Sequence, residues 1–274
     1  MALTVGKSVF LRNYSEKTRA LVEIARFLPD RPNPEQVHDL RVTIRRLQVL
    51  RRLLPREVRS TQSSREFGFA LGSVLKASSQ LRDLDTLIVT LEPYREILDD
   101  EISVSLSNQR SDAAAQAKTA SEQLLESAPP YFDQPKVRRG GLSRRLRKRV
   151  KKSSRLVAAL VDQVLKDETK VGELHMLRKQ AKKLRYLLEL AEQTTTELRV
   201  LIRWQESLGA IHDLDVAIEY LNKSREPLTK QKALHELLGL RHRKYLKLGV
   251  LFRADARELG GKSHFLRASV ASIP

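Results

Sequence analysis

Cysteine is absent from the 274 residues, which excludes disulfides and thiolate metal sites and suits a reducing compartment without establishing one. Aromatic residues make up only 5% of the chain, so platforms for stacking nucleobases are scarce. No apolar run approaches membrane-span length, and Met1 to Lys7 has the character of neither a signal peptide nor a transit peptide. The expectation is a soluble cytoplasmic protein with no membrane partner. Glycine and proline are few, at 11 and 10, and they leave long uninterrupted stretches. No stretch alternates as a strand does, so the expected class is all-α.

What is abundant is positive charge. The chain carries a net +18 with a pI near 10.3, which points to a polyanionic partner. Residues 1–137 hold 20 basic and 18 acidic side chains, whereas residues 138–274 hold 31 and 15. The C-terminal half therefore supplies most of the long-range attraction. With 41% hydrophobic residues, the chain can still bury a substantial core.

The charge is patterned as well as plentiful. Between Pro34 and Pro55 nothing breaks a helix, and on a wheel of about 100° per residue His38, Arg41, Arg45, Gln48 and Arg52 share one arc of roughly 80°. Leu40, Ile44, Leu47 and Leu54 flank it on one side; Val42, Val49 and Leu53 flank it on the other. An ordinary amphipathic helix has one apolar stripe and a solvated back. A cationic stripe between apolar shoulders resembles the floor of a groove.

The pattern recurs. His38 aligns with His175, Arg41 with Arg178, Arg45-Arg46 with Lys182-Lys183, and Gln48 with Arg185, at an offset of 137 residues. Each copy is followed by a second signature, Arg82-Asp83-Leu84-Asp85 and then His212-Asp213-Leu214-Asp215, offset by 130. This reads as an internal duplication. His-x-Leu-Arg with the following basic pair and Leu, and then Asp-Leu-Asp, twice in one chain, resembles the CHAD family (conserved-histidine α-helical domain). The resemblance spans roughly residues 5 to 260. It implies two pseudo-symmetric helical bundles around a basic central channel, and it implies binding of inorganic polyphosphate.

The expected organisation is an N-terminal helical half over 1–127, a linker over 128–141 and a C-terminal helical half over 142–274. Helices are expected over 5–28, from Pro34 to Leu54, over 62–81 and from Tyr94 to Ser127. The last of these is polar, with weak apolar periodicity in its middle, and is expected to project from the body. In the second half, Leu142, Leu146, Val150, Val157 and Leu160 form an apolar seam beside Arg145, Lys148, Arg149, Lys152 and Arg155. Further helices are expected over 173–192, through Trp204 to Leu208, and over 228–258.

With the resemblance, the expected polyphosphate ligands are His38, Arg41, Arg45, Arg46, His175, Arg178, Lys179, Lys182, Lys183 and Arg185. Arg12, Lys76, Arg82, Arg145, Arg149, Lys152 and His212 form a second tier. Arginine offers planar, bidentate contacts to phosphate oxygens and lysine an adjustable point charge. The bland alternative is a pair of solvated basic faces. A basic arc would depress an empty-site imidazole and a bound phosphate would raise it again, so the histidines are expected to gain protons on binding. Asp83, Asp85, Asp213 and Asp215 suit helix capping or positioning of basic groups better than a D-x-D metal site, which lacks further carboxylates. No catalytic residue, metal or cofactor is expected. A metal-dependent phosphohydrolase built on His38-Asp39 or His212-Asp213 is the less favoured enzyme alternative, because neighbouring helical residues diverge by about 100°. Nucleic-acid binding is the other alternative, since this charge attracts DNA or RNA weakly and non-specifically at low salt. Protein partners are unknown. Association with polyphosphate granules is a further expectation.

Overall fold

The computed structural model describes residues 3–98, 100–127, 129, 139–191, 196–223 and 229–259, and every regular element among them is helical. In order these are α1 (Lys7–Arg26), α2 (Pro34–Leu53), α3 (Arg56–Arg59), α4 (Gln62–Leu91), a 3₁₀ turn (Glu92–Tyr94), α5 (Asp100–Glu126), α6 (Arg139–Val164), α7 (Val171–Glu189), α8 (Thr196–Lys223) and α9 (Thr229–Leu259). The chain divides into two compact units. One comprises Met1–Arg95 with Asp99–Arg145, and the other Glu96–Leu98 with Leu146–Pro274.

In the first unit α2 is the central strut. Asn33 caps it: its side chain accepts from the Glu35 and Gln36 amides at 3.1 and 2.9 Å, while Gln36 Oε1 accepts from the Asn33 amide at 2.9 Å. This reciprocal box closes two of the donors that a helix start leaves open, and Pro34 loses nothing in the first turn. At the other end Leu54 turns extended before Pro55, which cannot continue the helix. Leu40, Ile44, Leu47, Leu50 and Leu53 fill one face, and α1 and α4 pack against it with Phe10, Leu21, Phe67, Leu71 and Val74.

Helix α5 does not project. It packs along α4 and α1 through Ile102, Leu106, Ala113, Ala114, Ala117, Ser121 and Leu124, all buried. Small side chains let helices approach closely, and an alanine face is nearly silent in a hydrophobicity pattern. That silence is why the sequence suggested a free arm. Lys118 also bonds Asp30.

The second unit is built on α7, α8 and α9, with α8 packed between the others. Trp204 is fully buried; its Nε1 donates to Asp255 Oδ2 at 2.7 Å and its ring centroid lies 4.4 Å from that of Phe252. Arg203 bonds the same carboxylate. The seam expected on α6 is buried throughout at Leu142, Leu146, Val150, Val157 and Leu160. Residues 128 and 130–138 of the expected linker lie outside the described residues, and its last three residues already belong to α6.

Two expectations are corrected together. Helices α4 and α8 run unbroken through the Asp-Leu-Asp signatures, so neither signature starts a helix and its aspartates cap nothing. No proline lies between Gln62 and Leu91, the two glycines there are carried within the helix, and helical propagation continues wherever the buried face continues.

Candidate anion-binding site

Along α2 the cationic arc runs beside the buried face as expected. Leu40, Ile44, Leu47, Leu54, Val49 and Leu53 are buried and Val42 is half-buried, so both shoulders are in place. The arc itself is graded. His38 and Arg52 are exposed, Arg45 and Gln48 are half-buried, and Arg41 keeps only 9% exposure. Arg46 lies off the arc and is half-buried. Arg12 is exposed on α1, Lys76 exposed and Arg82 half-buried on α4, both helices that pack against α2.

Helix α7 repeats the arrangement, with Leu177, Ala181, Leu184 and Leu187 buried on one side and Tyr186 buried where α2 has Val49. His175, Arg178, Lys182 and Lys183 are half-buried and Lys179 is exposed. Arg185 is partly committed elsewhere: its Nε lies 3.3 Å from Glu189 Oε1, and its guanidinium sits 4.9 Å from the Tyr186 ring centroid. Arg149 and Lys152 lie further along α6, half-buried and exposed.

The feature that sequence reasoning ranked too low is His212. From α8 it meets His175, Nδ1 to Nδ1 at 3.2 Å, with ring centroids 4.5 Å apart. Burial, then the charges of Arg178, His175, Lys182 and Lys179, push its imidazole down to about 3 from an ordinary 6.5. A neutral His212 leaves one Nδ1 as donor and the other as acceptor, and either ring can take either role. The pair can accept one proton without losing this bond. A second would set two N–H groups against each other.

This has a sign that can be measured. Between pH 6.5 and about 3 the unfolded chain protonates His212 and the fold does not. Stability from this group is therefore full above pH 6.5 and is lost as pH falls toward 3. His212→Gln is expected to flatten the pH dependence of unfolding over that window. Identical slopes in the two proteins would show that another group titrates.

A family model described as the CHAD domain matches residues 18–222, well over half of the sequence. The chain belongs to the CHAD family. CHAD is a family associated with polyphosphate binding. Among solved structures, the crystal structure of the CHAD domain from the plant Ricinus communis is similar, at 18% identity and a TM-score of 0.62, with 100% of this chain and 94% of that chain covered. At that identity the likeness concerns the fold. No curated protein matches the chain.

This CHAD chain also explains its aspartates. Asp85 accepts from Arg110 Nε at 2.7 Å, and the same guanidinium donates through Nη2 to the Pro32 carbonyl at 2.7 Å, just ahead of α2. In the second unit Asp215 accepts from Arg241 Nε at 2.5 Å, and Arg241 Nη2 donates to the Glu168 carbonyl at 2.9 Å, just ahead of α7. Each signature thus holds an arginine that anchors the entry to a stripe helix. Asp85 and Asp215 do position an arginine, but not, as expected, a basic group of the groove. Burial pushes the Asp215 carboxyl up, and Arg241 offsets part of that. Among the described residues no three His, Cys, Asp or Glu side chains group to hold a metal, so the D-x-D metal reading finds no third ligand there. Nor is any described helix long and apolar enough to cross a membrane.

Proposed function

We propose that this chain binds inorganic polyphosphate without cleaving it, that one polymer engages the α2 and α7 stripes together in a shared basic channel, and that it does so in the cytoplasm, at polyphosphate granules where these form. The observation that carries the reading is the convergence of Arg178, Lys179 and Lys182 on the His175–His212 pair, whose Nδ1 atoms lie 3.2 Å apart and where burial first, then these charges, hold the His212 imidazole neutral. Polyphosphate carries about one negative charge per phosphate on a thin, flexible chain, and a strip of guanidinium forks and ammonium points suits it without any group that reads a base. The two units are copies of one duplicated unit in this reading, supported by the recurrence of the stripe and of the arginine anchor.

Binding would take up a proton. A phosphate beside the His175–His212 pair would offset the charges of Arg178, Lys182 and Lys179, which add to burial in depressing the His212 imidazole, and so shift it toward the protonated, donating form. The non-catalytic part is the simpler reading of the donor set, in which cations and imidazoles suffice to grip phosphates, and the phosphate-release measurement tests it directly.

The test is a titration with polyphosphates of several lengths, using DNA and ATP as competitors and measuring phosphate release in the same samples with Mg²⁺ or Mn²⁺. Long polyphosphate is expected to displace DNA at far lower concentration, with log affinity falling linearly against log salt and no phosphate released. Displacement in the opposite sense would favour nucleic acid. Turnover abolished by His38→Ala would make the protein an enzyme.

A further inference from the structure

Guanidiniums gather where α2 ends in the first unit. Arg145 Nε donates to the Leu53 carbonyl at 2.6 Å and Arg59 Nε to the Leu54 carbonyl at 3.2 Å. Arg51 donates to the Ser64 carbonyl, and its guanidinium lies against Gly68, where a Cβ would collide with it. Arg144 is exposed next to Arg145 in the chain. Among the described residues none of Arg51, Arg59, Arg144 and Arg145 forms a salt bridge. By contrast Arg110 and Arg241, whose side chains keep 23% and 9% exposure, each meet an aspartate.

The cluster is under electrostatic load. Burial first, then Arg59 and Arg52, hold the Arg51 guanidinium below its ordinary pKa; burial, then Arg144 and Arg59, do the same to Arg145. Glu57 opposes this at Arg145. The carboxyl end of α2 contributes only about half a negative charge to offset the excess. Leu53 and Leu54 each take one N–H, while a guanidinium has five. A compact, multiply charged oxyanion would satisfy several of the remaining donors and relieve the repulsion.

We propose that Arg51, Arg59, Arg144 and Arg145 form a second phosphate-binding site, joined to the α2 stripe through Arg52, which takes phosphates further along the same polymer. This rests on the polyphosphate reading above. Arg52 closes the arc that begins at His38, so a chain lying along the stripe arrives at this cluster next.

The experiment compares tripolyphosphate with long-chain polyphosphate on the whole protein and on Arg59→Gln/Arg144→Gln. The expected result is that the altered protein loses one of two tripolyphosphate sites and that its affinity for the long polymer falls by about tenfold. The same tripolyphosphate stoichiometry, or equal affinity for the long polymer, in both proteins would overturn the proposal. If the double variant does not fold, Arg144→Gln alone carries the test, since the Arg144 side chain is exposed and makes no hydrogen bond among the described residues. If the unaltered protein binds polyphosphate at no length, the polyphosphate reading fails, and the cluster is judged with pyrophosphate. A rise in Tm with pyrophosphate that Arg144→Gln removes would support an anion site. No rise in the unaltered protein would end it.

Discussion

Methionine in place of Arg241 is expected to destabilise the protein by about 3–5 kcal/mol, the cost of breaking a buried ion pair from one side. Arg241 and Asp215 keep only 9% and 10% exposure, and the guanidinium also satisfies the Glu168 carbonyl. Without it a carboxylate is stranded among α8 and α9. Tm should fall on the order of 10 °C, and amide protection in those helices should fall with it. Adding Asp215→Leu should recover most of the loss, because an apolar pair of similar volume removes the stranded charge. A double variant as unstable as the single would place the loss in the missing bond to Glu168 instead.

Reversing one cation in each stripe should have the largest effect on binding. Arg45 and Lys182 are the appropriate pair: they align in the repeat and both are half-buried, whereas Arg41, at 9% exposure, would bury a carboxylate if reversed. Arg45→Glu or Lys182→Glu alone should weaken polyphosphate binding by about tenfold, since a flexible polymer shifts register around one bad contact. Together they should cost well beyond the product of the singles, on the order of a thousandfold, if one chain runs over both stripes. Isothermal titration at fixed salt measures all four proteins. Plain additivity would mean that the stripes serve separate polymers.

The stripes were readable because they obey a local rule: residues three and four apart share a helix face, and the apolar shoulders marked where that face ends. The same rule explains the well-placed limits of α1, α2 and α9. What could not be read depends on distance along the chain. Asp85 finds Arg110 25 residues away, and Asp215 finds Arg241 26 residues away. That near-identical spacing was a usable signal, but Arg110 sits in a serine- and alanine-rich stretch that read as an arm. The guanidinium cluster is harder still, since Arg145 reaches Leu53 across 92 residues. His212 stood in the signature all along. Its pairing with His175 comes from the packing of α8 on α7, which no single-helix wheel contains.

The anchors Asp85–Arg110 and Asp215–Arg241 share no side chain with the stripes they stand behind. Frame and cargo grip are thus coded by different positions, and one can drift while the other is kept. The first half already carries Arg45-Arg46 where the second carries Lys182-Lys183. By the same logic, acidic residues written over those positions would leave caps, anchors and leucine core in place, turning an anion cradle into a chassis for capturing polyamines.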